Sequence, residues 1–394
     1  MDHGNQPKKR AVTGAAQPDS GIAGGADRIS GGTPGNNASH HKTAKSLKRL
    51  LALLAVILAA ATAFTLIRIA LKGRETYRAQ DGETARAVSG GIGGNIPESH
   101  GIMSYARVTE NTKTLTDEID SKYAILIDVE KGEVLAEKDG DAKIYPASMT
   151  KIMTMIVAYE NLNSLDDTFE MTLDITDPLY VENASVAGFL NGEQVTARDL
   201  IYGLILPSGA DCACALAIMC AGGEEAFAEM MNEKVGELGL ENTHFTNPTG
   251  LHDAEQYSTC HDIALILEYA CRDEFMKTVL STYEYTTAKT LQHPEGISLH
   301  STMQTRLYGD EAGGMFIVGG KTGYTTEAKN CLASFAVKYD SDTESESAVY
   351  GKDAQYIFVT AYGGTVWAPV FDAINMYATV ADPDALETRQ YSQR

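Results

Sequence analysis

The stretch that decides the architecture is YAILIDVEKGEVLAEKDGDAKIYPASMTKIMTMIVAYENL, Tyr123–Leu162. YAILIDV (Tyr123–Val129), a turn at Glu130-Lys131-Gly132 and EVLAEK (Glu133–Lys138) read as strand, turn and strand, because two short apolar runs flank a turn signal. Pro146 then opens a helix, where a proline gives up only a backbone donor that would have no partner anyway. The apolar residues after it recur at helical spacing. Ser148 and Lys151 stand at the start of this helix, three residues apart, so a hydroxyl and an amine share one face within hydrogen-bonding reach. Serine is a poor nucleophile until a base takes its proton. Lysine can be that base when burial and cationic neighbours lower its pKa toward neutrality. The positive end of the helix dipole also favours negative charge developing there. The spacing alone is a weak signal, since Ser39-His40-His41-Lys42 repeats it in a stretch with no apolar period.

Working outward, helices are expected at Ala197–Leu206, Ala210–Ala221 and Glu224–Leu238, the last ended by Gly239. Another follows an N-cap at Ser258 or Thr259 and runs through Tyr269. The Ala, Leu and Ile density of the first two suits a buried helical layer. Strand-like segments return at Met315–Val318, Cys331–Tyr339 and Gln355–Tyr362, and Trp367–Thr379 reads as a closing helix. An acidic, serine-rich loop, DSDTESESAVYGKD, separates the last two strands. The expected class is α/β (α+β): an antiparallel sheet built from N- and C-terminal strands, flanked by helices, with an inserted all-helical region. No internal repeat is present.

Two further motifs join Ser148 and Lys151. Lys321-Thr322-Gly323, preceded by Gly319-Gly320 and a strand-like run, offers a fixed cation and a hydroxyl donor for a carboxylate. Its glycine permits close approach of a ligand to the backbone. Pro207-Ser208-Gly209-Ala210-Asp211 sits where two buried helices meet, a place for a second hydroxyl to enter a cleft and relay a proton. Each has a plain structural alternative, a surface lysine in a turn and a serine N-cap respectively.

Taken together and in this order, the three motifs resemble those of the penicillin-binding and serine β-lactamase superfamily. More narrowly, YPASMTKIMT, LNGEQVTARDLIYGLILPSGADCA, HFTNPTGLHD, YSTCHDIALI and GGKTGYT are similar to segments of the low-molecular-weight D-alanyl-D-alanine carboxypeptidases, over roughly Lys122–Thr379. The resemblance implies a β-lactamase/transpeptidase-like fold and attack by Ser148 on the carbonyl between two terminal D-alanines of a peptidoglycan stem peptide. It implies that Lys151 is the general base and that Ser208 helps pass the proton to the leaving D-alanine. Lys321 and Thr322 would hold the terminal carboxylate. The backbone amides of Ser148 and of Tyr324, just after Gly323, would form the oxyanion hole. β-Lactams would acylate Ser148 as mimics of the peptide, and no cofactor or metal is needed. The chain departs from the family pattern at Ala210, where an asparagine is usual, and at Met303-Gln304-Thr305, where Asn-x-Asn is common. About seventy residues follow Gly323, room to finish the sheet and one helix rather than a further β-domain.

The charge is divided. Residues 1–74 hold 11 Lys+Arg and 3 Asp+Glu, and the remainder 21 and 50, within a net charge of −21. So acidic a body repels nucleic acid. The basic residues cluster about Leu50–Ile67, eighteen residues without a charge. As a helix this run is about 27 Å long, near the roughly 30 Å hydrocarbon thickness of a bilayer. Lys and Arg are more numerous on its N-terminal side, which places that side in the cytoplasm and the body outside. Ala61-Thr62-Ala63 resembles a signal-peptide cleavage site, but the preceding segment is far longer than such peptides carry. The expected organisation is a disordered cytoplasmic tail (1–49), a membrane anchor (50–71), a flexible stalk (72–121) and a catalytic domain (122–394).

The six cysteines could form disulfides in an exported domain, but the Cys212-Ala213-Cys214 pair suits neither a bridge nor a metal, and most of the six, lying between Ala and Leu, read as small core residues. His244, His252 and His261 lack zinc-like spacing and read as cap or loop residues. Two other functional classes remain in view. A serine β-lactamase needs a strong deacylating base, and Glu182-Asn183 does not have the expected form. A β-lactam or wall sensor without turnover would be consistent with Ala210.

Overall fold

The computed structural model describes residues 105–307, 312–339, 349, 350 and 352–381. The apolar run Leu50–Ile67, the tail, and the stalk up to residue 104 lie outside these residues. Among the described residues no helix is long and apolar enough to cross a membrane.

The chain order is β1 (Arg107–Thr114), β2 (Tyr123–Asp128), β3 (Glu133–Lys138), a 3-10 turn (Ala147–Met149), α1 (Thr150–Asn161), β4 (Thr168–Glu170), α2 (Leu173–Val181), β5 (Gln194–Thr196), α3 (Ala197–Ile205), α4 (Ala210–Ala221) and α5 (Glu224–Leu238). Then follow α6 (Cys260–Cys271), α7 (Glu274–Ser281), β6 (Glu284–Thr286), β7 (Ser298–His300), a 3-10 turn (Gln304–Arg306), β8 (Met315–Thr325), β9 (Lys329–Lys338), β10 (Tyr356–Gly363) and α8 (Ala368–Ala381). Six strands form one sheet in the order β1-β3-β2-β10-β9-β8. β10 joins the two halves of the chain, pairing antiparallel with β2 (Phe358 opposite Leu126) and with β9 (Val359 opposite Ala333).

Both sheet faces are covered, which is why the central strands read as nearly continuous apolar runs. Ile125, Ile127, Ala333, Phe335, Ile357 and Val359 point into a core shared with α1, α3, α4 and α6. Their alternating neighbours Leu126, Leu332, Ala336 and Phe358 pack with Val370, Ala373, Met376 and Tyr377 of α8. Helix α1 is buried continuously from Thr150 to Tyr159, so it runs through the helical layer rather than over it. Small residues let the layer close tightly: a Cβ on Gly203 would stand 2.5 Å from Cys212 Sγ. All six cysteines are free thiols and five are buried, as small core residues would be. Thr259 caps α6 by accepting from Asp262 N at 2.9 Å, and Gly239 (φ +71°) ends α5.

The sheet differs from the expectation in one strand. The sequence reads residues 107–114 as stalk, yet Arg107–Thr114 pairs with β3, and in parallel rather than antiparallel fashion. RVTENTKT carries almost no apolar signal because it is an edge strand exposed on both faces. The order therefore begins before Lys122. Tyr105 pins its start, donating to Asp262 Oδ1 (2.6 Å) and accepting from Glu241 N (3.1 Å). The short elements α2, α7 and the pairs β4–β5 and β6–β7 were also not anticipated, being too short to show a period.

Candidate active site

Ser148 lies in the 3-10 turn ahead of α1, and Lys151 follows one turn later with its amine 3.1 Å from Ser148 Oγ. Lys151 Nζ also donates to the carbonyl of Thr249. That carbonyl is held by an Asx turn: Asn247 Oδ1 accepts from Thr249 N (3.1 Å) and Gly250 N (2.8 Å). Gly250 (φ +74°) lies against Ala147, where a Cβ would come within 2.1 Å of the Ala147 carbonyl oxygen. Lys151 is 2 % exposed, and burial pushes its amine down to about 8. A neutral amine with one hydrogen committed to Thr249 keeps its lone pair free for the Ser148 proton.

Ser208 occupies the corner between α3 and α4 in the left-handed region (φ +67°), and Ala147 before the nucleophile is left-handed too (φ +48°). Such conformations cost of order 1–3 kcal/mol for a non-glycine residue and gather where a side chain must be aimed. The corner is braced by Gly209 N donating to Gly203 O (2.9 Å) and Ala210 N to Ser185 O (2.8 Å). Asp211 does not line the cleft. Its carboxylate accepts from Ala187 N (2.9 Å) and Gly188 N (3.2 Å), and burial raises its pKa.

Lys321 reaches the site because β8 contains a bulge. Before it, Ile317 stands opposite Ala336 and packs on the α8 side of the sheet. Val318 is then an extra residue, so Gly319 is opposite Phe335 and Lys321 opposite Ala333, whose side chain belongs to the helical side. Were Val318 paired in an unbroken pleat rather than bulged, the period-two alternation would carry Lys321 to the α8 face with Ile317. Glycine is required at the bulge: a Cβ on Gly319 would meet Leu280 O at 2.4 Å, and one on Gly320 (φ +152°) Ala333 O at 2.1 Å. Gln304, in the Met303-Gln304-Thr305 segment, fastens it by donating from Nε2 to Val318 O and Ser281 O, both at 2.8 Å.

From there Lys321 Nζ donates to Ser208 Oγ at 2.9 Å. Burial, with Lys151 and Arg306 nearby, pushes its amine well below the usual lysine range. Thr322 Oγ1 lies 2.7 Å from Thr302 Oγ1. Gly323 passes so near the nucleophile that a Cβ would sit 3.2 Å from Ser148 N, and Tyr324 stands exposed on the lip. One cleft of about 650 Å³ is lined by Ser148, Lys151, Ser208, Thr322, Gly323 and Tyr324. All seven residues singled out in the sequence thus converge, Lys321 from beneath through Ser208. Thr249, Arg306, His252 and Glu327 were missed, and they also border the cleft or act in it. The Asn-Pro-Thr-Gly turn was the available signal for Thr249; the other three give none, being brought in by loops.

Two serine–lysine pairs about one cleft, beside a bulged edge strand, suit attack on a carbonyl adjacent to a carboxylate. The model of the D-alanyl-D-alanine carboxypeptidase family matches residues 109–352. The D-alanyl-D-alanine carboxypeptidase DacF of Bacillus subtilis is 35% identical over 225 residues, covering 56% of this chain and 54% of that protein. A Streptomyces D-alanyl-D-alanine carboxypeptidase is 35% identical over 217 residues, 52% of this chain and 73% of that one. The crystal structure of a Streptomyces DD-transpeptidase superimposes with a TM-score of 0.57 at 29% identity, covering 66% of this chain and 98% of that one. This chain spans about half the length of the Bacillus relative and nearly three quarters of the Streptomyces one. By motif, fold and sequence, it belongs to the D-alanyl-D-alanine carboxypeptidase family.

Proposed function

We propose that the protein is a serine-type D-alanyl-D-alanine carboxypeptidase acting on peptidoglycan stem peptides. The observation that carries this reading is the pairing of Lys151 with Ser148 and of Lys321 with Ser208 on one cleft. The terminal carboxylate of the peptide binds beside Lys321 and Thr322, where it favours the charged form of Lys321 against the burial that disfavours it. Neutral Lys151 takes the Ser148 proton as Oγ attacks the scissile carbonyl. The oxyanion is held by the amides of Ser148 and Tyr324. The C–N bond then breaks, and the proton passes through Ser208 to the departing D-alanine amine. Water, deprotonated at Lys151, cleaves the ester and returns Ser148 to its hydroxyl form. A β-lactam enters the same route and stops at the ester.

The supporting experiment combines labelling by a fluorescent penicillin with D-alanine release from a stem-peptide analogue. Both are expected in the wild type and neither in Ser148→Ala. Persistence of label in Ser148→Ala would remove the nucleophile. Label without D-alanine release would turn the reading toward a sensor, and rapid hydrolysis of the penicillin toward a β-lactamase.

The same reading places the catalytic domain outside the cytoplasmic membrane, where its substrate is, tethered through Leu50–Ile67 with the basic tail inside. Support comes from that uncharged run and its flanking Lys and Arg residues. Recovery of the full chain in the soluble fraction after cell lysis would refute the tether.

A further inference from the structure

β8 is the outermost strand of the sheet, so among the described residues one of its edges has no strand partner, and Thr322 to Glu327 border the cleft. A peptide with its carboxylate at Lys321–Thr322 and its scissile carbonyl at Ser148 would continue, toward its own N-terminus, past Tyr324 and Thr325 to the β8–β9 hairpin tip. That path is antiparallel to β8, the arrangement of a peptide strand added to a sheet edge. At about 3.3 Å per residue, the residue before the penultimate D-alanine falls alongside Thr325. A side chain of four or five bonds from there spans the distance to the tip.

The charge of the cleft reverses along this path. Lys151 and Arg306 line the cleft, with Lys321 behind them; Glu327 and His252 line it toward the β8–β9 tip, and Glu182 is the other carboxylate on its wall. Glu327 is half-exposed, and among the described residues its one neighbour within ion-pair range is His252 Nδ1, at 4.0 Å. The imidazole packs edge-on against Tyr145 with centroids 4.7 Å apart, so it cannot close onto the carboxylate without leaving that ring. A carboxylate with one distant partner at the end of a peptide track lacks a cation.

We propose that Glu327, flanked by His252, is a specificity subsite for an ammonium group on the side chain of the residue preceding the penultimate D-alanine. The favoured donors are then stem peptides whose diamino acid at that position keeps its side-chain amine free. This rests on the carboxypeptidase reading but adds a requirement that the reading does not contain.

Nα-Acetyl-L-Lys-D-Ala-D-Ala and its Nε-acetylated counterpart differ only in that charge. The wild type should prefer the free amine by roughly fivefold in kcat/KM, the size of a partly exposed ion pair. Glu327→Gln should bring the ratio toward one, and Glu327→Lys should invert it. Competition of the two peptides against penicillin labelling shows whether the preference is expressed in binding. An equal preference in wild type, a preference that survives Glu327→Gln, or one lost instead in Glu182→Gln, the other carboxylate lining the cleft, would overturn the subsite while leaving the carboxypeptidase reading intact. Loss of label and D-alanine release with both peptides would strike the underlying reading instead.

Discussion

Lys321 Nζ donates to Ser208 Oγ at 2.9 Å, and this single bond joins the edge strand of the sheet to the corner between α3 and α4. The two residues are 113 apart in the chain, and both are buried. In the proposed mechanism Lys321 holds the carboxylate while polarising the hydroxyl that relays the proton. Ser208→Ala should therefore lower kcat by roughly 10²-fold, the usual size of a lost proton-transfer group, with a smaller effect on KM. Steady-state D-alanine release measures both, and an unchanged kcat would remove Ser208 from the relay. Lys321→Arg is no conservative change here, because a planar guanidinium must fit a space shaped for an ammonium.

The pH profile follows from Lys151. Its pKa is pushed down to about 8 by burial, and the neutral form is the base. Protonation below that value removes the acceptor, so the acylation rate should rise with pH and level off above about 8. Stopped-flow acylation by a penicillin between pH 6 and 9.5 would show this limb. A flat profile would exclude Lys151 as the proton acceptor.

Deleting Val318 offers a test of the bulge. It removes the extra residue and restores the period-two alternation with Lys321 still opposite Ala333 on the helical side, so penicillin labelling should persist; its loss would show that the bulge does more than set the register. Gly320→Ala keeps the register but places a Cβ within 2.1 Å of Ala333 O at φ +152°. It should cost about 2 kcal/mol or more of stability, read from denaturant unfolding. A variant as stable as wild type would show that the strand can shift to accommodate the methyl group.

Tyr377 of α8 serves the back of the sheet. Its hydroxyl donates to Ser334 O at 2.8 Å and accepts from Phe358 N at 3.0 Å, both buried. Tyr377→Phe leaves a backbone donor and acceptor without that partner and should lower stability by about 1–3 kcal/mol. Activity per folded molecule should hold, since α8 covers the face away from the helical layer.

A fragment starting at Tyr105 and one starting at Lys122 test where the folded domain begins. The first keeps β1 and the Tyr105–Asp262 bond; the second exposes the edge of β3. The shorter fragment should melt several degrees lower, as expected for a loss of about 1 kcal/mol or more. Equal melting temperatures would mean that β1 adds nothing to the fold.

Much of the framework was legible in the residues themselves. β2, β9 and β10 announced their burial because both faces are covered, leaving runs such as Ala124–Ile127 without a polar interruption. α5 and α6 declared their ends through Gly239 and Thr259, whose roles are local. Ser148 and Lys151 could be paired on helical geometry alone, because one turn of helix sets their separation. β1 could not be read, since an edge strand exposed on both faces has no pattern to impose.

What the sequence by itself determined is therefore the local chemistry: a serine and a lysine on one helix face, a cation and hydroxyl before a glycine, a serine at a helical corner. Only the tertiary structure decided which of these meet. A one-residue bulge chooses the face on which Lys321 emerges. The carbonyl of Thr249, 98 residues beyond Lys151, orients the base. The hairpin tip and a loop bring Glu327 and His252 to the far end of the cleft. Local spacing encodes neighbours within a few residues, whereas strand parity and loop closure act across the whole chain, and those set the identity of the site.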